Sequence, residues 1–203
     1  MKEGEGARGR GEPPRRPLPP KGWREAARRA TAGPPPEKPN LGPRRKPPPR
    51  IVAIPGKILW TIGGLGLVPG IPGTVGTLFG VALVYIATRY PGSEKTILGL
   101  ACFFALAGVP LASLAERVHG KDPQSFVWDE VAGYLVTMLG MPIQKQPWLC
   151  VAGGFFLFRI FDILKPWPIR SIEEKPGGAA VIADDVFAGL YANAALHGIL
   201  AFL

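Results

Sequence analysis

The sequence predicts an all-α fold: a bundle of about five apolar helices embedded in a membrane, with a Gly-rich loop and a disordered basic N-terminal tail. Three observations predict it. From residue 51 onward long apolar runs alternate with short breaks. One run, residues 96–115, has twenty residues without a charge, about the length that crosses a hydrocarbon core. Glycine is dense inside the runs, and Tyr90, Trp148 and Trp167 stand near their ends, where membrane interfaces favour amphipathic rings. A soluble helical bundle is the competing reading, because several runs are short for a full span.

Residues 1–50 are read as a tail and 51–203 as one helical domain. The tail holds 14 of the 24 Lys and Arg, 13 of the 24 prolines and 5 of the 15 Asp and Glu, so the formal charge of +9 resides entirely there. Few apolar residues remain to offset the entropy of ordering, which predicts disorder. Trp23 is the only aromatic interleaved with the basic residues. No nucleic-acid partner is therefore expected; the tail is either drawn to anionic lipid on the cytoplasmic leaflet or is a solvated segment without a dedicated role. Its charges and prolines do not fit a signal peptide.

The stretch 61–76, "TIGGLGLVPGIPGTVG", is too rich in Gly and Pro for a regular element and reads as an ordered loop or broken helix. Helices are then expected over about 75–88, 96–115 (with a kink at Pro110), 127–141, 148–164 and 183–203, the last with eighteen uncharged residues after Asp185. Between three and five of them span. Cys102 and Cys150 lie in apolar runs without metal-site spacing and are expected to be packing residues.

With the basic tail in the cytoplasm, five crossings leave loops 89–95 and 142–147 outside and 116–126 and 165–182 inside, where Arg117, Lys121, Lys165, Arg170 and Lys175 agree with the positive-inside bias. The same arrangement carries Asp122, Asp129, Glu130, Asp162, Asp184 and Asp185 to one membrane face, with Arg159, Lys165 and the Gly-rich segment.

Carboxylates at the edge of hydrocarbon are costly unless paired or coordinated. "FVWDEVAG" and "VIADDVFAG" are two such acidic pairs. An oxygen-rich, sulfur-free and His-poor set suits Mg²⁺ or Mn²⁺. For each pair taken singly, stabilisation of a helix N-terminus is the simpler explanation. A hard cation beside Arg159 and Lys165 is equipment for a phosphate group, against an alternative in which Arg159 and Asp162 form an i,i+3 salt bridge. "VPGIPGTVGT" offers backbone N–H groups and the hydroxyls of Thr74 and Thr77 as a phosphate cradle, or is a bend for close packing. His119, beside Asp122, is either a proton shuttle or a solvated loop histidine, and His197, at the far end of the last helix, has no role. Ser125 and Ser171 have no neighbouring His base, so attack by water fits better than a covalent intermediate, with an aspartyl-phosphate left open.

At "PGTVGT" (72–77), "DPQSFVWDEVAG" (122–133), "FRIFDILKPWPI" (158–169) and "VIADDVFAG" (181–189) the chain resembles the phosphatidylglycerophosphatase A family of bacterial membrane lipid phosphatases. The resemblance covers nearly all of residues 55–195. It implies an all-helical, Mg²⁺-dependent enzyme that removes the terminal phosphate of phosphatidylglycerophosphate, giving phosphatidylglycerol at the cytoplasmic face of the inner membrane. The family's acidic motif positions match Asp122, Asp129, Glu130, Asp162, Asp184 and Asp185. Within that set the roles are divided on chemical grounds. Asp129, Glu130, Asp162 and Asp185 are assigned to the metal, Arg159, Lys165, Thr74 and Thr77 to the phosphate, and Glu130 or Asp184 to activation of water, with Asp122 and His119 accessory. The competing function is a transporter with a buried Asp/Arg relay, which needs charges through the bilayer rather than at one face. A CDP-alcohol phosphotransferase is disfavoured, since its DGxxAR signature is missing.

Overall fold

The computed structural model describes residues 50–121 and 123–202, with side chains from residue 55 on. The basic tail up to residue 49 and the accessory candidate Asp122 lie outside the described residues. All regular structure among the described residues is helical: α1 (Arg50–Trp60), a single 3-10 turn (Leu65–Leu67), α2 (Pro72–Ala87), α3 (Ser93–His119), α4 (Trp128–Thr137), α5 (Pro147–Leu164), α6 (Ile169–Glu173) and α7 (Gly178–Ala201).

The five expected apolar helices are α2, α3, α4, α5 and α7. Helix α1 was not expected; Pro55 lies inside it, where local propensity argues against a helix. Helix α2 begins at Pro72, three residues before the expected Val75. A proline at the first helical position has the right φ and lacks only a donor that would go unused. "PGTVGT" is therefore the first turns of a helix rather than a loop. Helix α7 begins five residues before the expected start. Gly178 lies so close to the Val109 carbonyl and Ser113 of α3 that no side chain fits, and its N–H donates to Ser113 Oγ at 3.2 Å. Tertiary contact, invisible in the local pattern, carries the helix back to that point.

Helix α4 is the centre of the bundle. Nine of its ten residues are buried, all but Glu130, and α2, α3, α5 and α7 pack around it. Tyr134, Leu135, Phe158 and Leu196 are fully buried there, with Cys150, while Cys102 is exposed on α3. Helices α4 and α7 approach closely. A Cβ on Gly189 would collide with the Gly133 carbonyl, and one on Gly133 would fall 2.5 Å from the Asp185 carbonyl oxygen. Thr137 spans the crossing: its hydroxyl donates to the Gly133 carbonyl on its own helix at 3.0 Å and to the Gly189 carbonyl of α7 at 3.4 Å.

Because α4 stops inside the bundle, its last carbonyls need donors from elsewhere. Asn193 of α7 supplies them: its Nδ2 donates to the carbonyl of Thr137 (2.9 Å) and to that of Leu139, two residues past the helix (2.8 Å). Asn193→Leu should cost about 1–3 kcal/mol, the range for leaving buried polar groups unpaired. Thermal unfolding in detergent would register it as a lowered Tm, and an unchanged Tm would remove this role.

Outside, α3, α5 and α7 are each long and apolar enough to cross a membrane, whereas α2 is apolar but shorter. Only 17% of the apolar stretch of α5 is buried within the protein. Leu106, Ile163 and Leu164 are among many large apolar side chains left exposed. Trp148 and Trp167, both exposed, flank the two ends of α5.

Candidate active site

The start of α4 is held from below by α1. The Trp128 indole Nε1 donates to the Leu59 carbonyl at 2.8 Å, and the Val127 N–H to the Trp60 carbonyl at 3.3 Å. This places Asp129 and Glu130 in the first turn of α4, where the helix dipole favours negative charge. Helix capping cannot explain the second acidic pair. Asp184 and Asp185 are the seventh and eighth residues of α7, two turns from its start. What they share with the first pair is distance from the crossing: Asp129 lies four residues before Gly133, and Asp185 four before Gly189. One helical turn from that contact, the two side chains meet.

The result is a group of three carboxylates, Asp129, Glu130 and Asp185, whose oxygens lie within 4.8 Å of one another. Asp129 and Asp185 are buried and Glu130 partly so. Asp162, at the end of α5, stands beside Glu130 and Asp185 and forms an ion pair with Arg159 at 2.7 Å. A cleft of about 300 Å³ reaches two members of the group, lined by Asp129, Glu130, Arg159, Asp162, Thr74 and Gln124, while Asp185 is not part of its lining.

Other candidates lie elsewhere. Lys165 binds Asp184 at 2.9 Å and Glu173 of α6 at 2.8 Å. It ends α5 in the left-handed conformation, φ 44°, which disfavours side-chain-bearing residues. Burial alone would lower the pKa of its ammonium, but the two carboxylates outweigh it and hold the proton well above the usual lysine range. Thr77 is buried and donates its hydroxyl to the Gly73 carbonyl at 2.8 Å, outside the cleft lining. His119 is exposed at the end of α3, edge-on to Trp60 with 5.5 Å between ring centroids.

The donor set fits a hard divalent cation. All three groups are oxygen ligands, and Glu130 Oε2 is a buried atom with no hydrogen-bond partner among the described residues. Burial raises the Asp129 pKa well above the usual carboxylate range, and neighbouring Glu130, Asp185 and Asp184 push it further. Glu130 is also raised by burial, with Asp129 and Arg159 working against the shift. A cation among these oxygens would offset both burial and mutual repulsion.

Residues 58–200 match the family model described as phosphatidylglycerophosphatase A. The chain belongs to that family. The matched range holds all the site residues just described and leaves out the basic tail. Among curated proteins, phosphatidylglycerophosphatase A of Escherichia coli (strain K12) is 35% identical over 138 residues, 66% of this chain and 77% of that protein. The Haemophilus influenzae protein of the same name is 36% identical over 64% of this chain and 78% of its own length. A Bacteroides thetaiotaomicron protein named "Putative phosphatidylinositol-3-phosphatase" is 36% identical over 63% of this chain and 82% of its own. No solved structure matches the chain.

Sequence reasoning missed the residues that bring the phosphatidylglycerophosphatase A motifs together. Gly73 is one: a Cβ there would fall 2.5 Å from Glu130 Oε1 and 2.9 Å from Arg159 Nη1. Gly133, Gly189 and the cleft residue Gln124 are the others. The signal for the glycines was present in "DEVAG" and "DVFAG", two copies of an Asp followed by Gly at i+4. A Gly that close to a charged residue marks a helix crossing beside a site.

Proposed function

We propose that the chain hydrolyses the terminal phosphate monoester of phosphatidylglycerophosphate, giving phosphatidylglycerol and inorganic phosphate, with Mg²⁺ as its cofactor. The observation that carries this reading is the convergence of Asp129, Glu130 and Asp185 from two helices, with Asp129 and Glu130 lining one cleft together with Arg159, in a phosphatidylglycerophosphatase A family member. When bound, Mg²⁺ would polarise the phosphoryl group and neutralise charge developing on it. Asp129, Glu130 and Asp185 would hold it, with Asp162 alongside.

The rest of the chemistry belongs to side chains. Arg159, at the cleft wall, clamps the phosphate oxygens, and Asp162 fixes the orientation of its guanidinium. Thr74 and the first N–H groups of α2, next to Arg159, are further donors. Water attacks phosphorus as the bond to the lipid glycerol oxygen breaks. The Glu130 oxygen not engaged by the cation takes the water proton and passes it to the departing glycerol oxygen. Asp184 is tied to Lys165, which suits that pair to holding α5, α6 and α7 in register around the site.

A bacterial inner membrane is the proposed location, with α3, α5 and α7 spanning and the cleft at the cytoplasmic face. The exposed apolar flanks of those helices and the tryptophans at both ends of α5 support it. Helix α4, ten residues long, cannot span; buried among the others with Asn193 on its end, it meets the requirement that backbone ending at membrane depth be enclosed by protein. The transporter reading gains no observation, because the described carboxylates of α4, α5 and α7 collect at one end of the bundle.

The test is phosphate release by purified protein in detergent over a panel of lipid phosphates, with and without Mg²⁺. Phosphatidylinositol 3-phosphate belongs in the panel because of the name carried by the Bacteroides relative. Phosphatidylglycerophosphate should turn over fastest and EDTA should stop the reaction. Turnover that survives full chelation would remove the metal from the reading. Gly73→Ala provides a second check. It should leave the Tm nearly unchanged, since alanine suits a helical position, yet lower turnover by about 10²-fold, the cost of a misplacement near 1 Å. Wild-type turnover would detach Glu130 and Arg159 from the chemistry.

A further inference from the structure

The cleft accounts for the phosphate end of a lipid and leaves the other end without a place. Its volume of about 300 Å³ is at the bottom of the range for small-molecule sites, enough for a glycerophosphate group. Two acyl chains need several times that space, so they must lie outside, across the rim.

Besides the charged residues, two segments line the cleft: Pro123, Gln124 and the buried Phe126 in one, and Gly70, Ile71 and Pro72 in the other. Leading into that second segment, Leu67, Val68, Pro69, Gly70 and Ile71 form a continuous run of exposed residues without a polar side chain. Leu67 and Ile71 are each about half exposed, at 51% and 53%. Just before them, Ile58 and Leu59 of α1 are also exposed, while Trp60 and Gly56 face α3. The run is firmly based. Gly66 lies against the Ser125 carbonyl with no room for a side chain, and the Gly66 N–H donates to the Thr61 carbonyl at 3.0 Å.

An apolar lip fixed on the edge of a charged cleft exposes to water surface that folding could have buried. Charge along the chain points to what covers it. In the sequence, residues 1–50 carry the whole formal charge of +9 ahead of the lip, and Lys57 is exposed on α1. Basic charge flanking apolar residues matches an anionic lipid surface.

We infer that Leu67–Ile71 is an interfacial lip that inserts among the acyl chains of an anionic bilayer and supports the diacylglycerol part of the substrate while its phosphate enters the cleft. This rests on the lipid-phosphatase reading for the substrate, though not for the insertion. The lip makes the site selective for phosphate monoesters presented by a membrane over the same headgroup free in water.

Two measurements test it. The first compares the full chain with a Leu67→Gln/Val68→Gln variant, using phosphatidylglycerophosphate in phosphatidylglycerol vesicles and its deacylated, water-soluble headgroup. The variant should lose about tenfold on the vesicle substrate through KM and keep its rate on the headgroup. Equal losses on both, or none on either, overturn the proposal. The second places an environment-sensitive fluorophore at Val68→Cys in a Cys102→Ala background, where the remaining Cys150 is buried. In phosphatidylglycerol nanodiscs it should be blue-shifted and shielded from aqueous iodide, whereas a label at the exposed loop residue Gln144 should be quenched. Quenching at position 68 equal to that at 144 overturns the lip whatever the enzyme does. If wild-type protein hydrolyses neither substrate, the phosphatase reading fails and the fluorophore alone decides the insertion.

Discussion

Asp129→Asn is expected to lower turnover of phosphatidylglycerophosphate on the order of 10³-fold, the scale on which one preorganised electrostatic element acts, without unfolding the protein. The site explains both halves. Asp129 is one of three carboxylates within 4.8 Å, so its loss removes a charged ligand from the proposed cation. The same change relieves repulsion in the cation-free protein, where burial and the acidic neighbours raise the Asp129 pKa. The sign of the pH effect follows. A carboxylate with a raised folded-state pKa contributes stability that is fully present below the unfolded pKa and is lost as pH rises through the folded one. Cation-free wild type should therefore lose Tm from mildly acidic toward neutral pH more steeply than Asp129→Asn does. Mg²⁺ should restore it, with a larger shift at higher pH because the ligands must be deprotonated. Scans at several pH values, with and without Mg²⁺, measure this. A variant that keeps both turnover and the Mg²⁺ shift would take Asp129 out of the site.

Gly189→Ala should be among the most damaging small substitutions in the bundle. The added methyl group meets a main-chain carbonyl, that of Gly133, which cannot move aside as a flexible side chain would. Overpacking of this kind costs about 1–3 kcal/mol, occasionally more. Because Asp129 and Asp185 each lie one turn from the contact, separating the helices also separates the ligands. Both Tm and the Mg²⁺-dependent Tm shift should fall together. Gly198→Ala, on the same helix with open space around the added atom, is the control and should change neither. A Gly189→Ala protein with wild-type Tm and metal response would mean that the crossing does not set the site.

The two substitutions show where sequence reasoning succeeds and where it stops. The acidic pairs, Arg159 and Asp162 could be read from the chain, because charge inside an apolar run is costly and must have a partner. Which carboxylates meet could not. Asp184 and Asp185 are neighbours of equal chemistry, yet about 100° of helical rotation sends one to Lys165 and the other toward Asp129. Thr74 and Thr77 looked alike as phosphate donors, but α2 begins early enough to turn Thr77 into the core and leave Thr74 at the cleft. His119 stood beside an acidic residue in the chain, yet it packs on Trp60 at the end of α3.

Composition and periodicity suffice for the all-helical class, the apolar runs and the family motifs, since each depends on residues close together in the chain. The start of α7, the burial of α4 and the meeting of Asp129, Glu130 and Asp185 depend on how closely two backbones approach. That distance is set by Gly133, Gly178 and Gly189 acting with partners on other helices, and a pattern read along one strand of sequence contains no term for it.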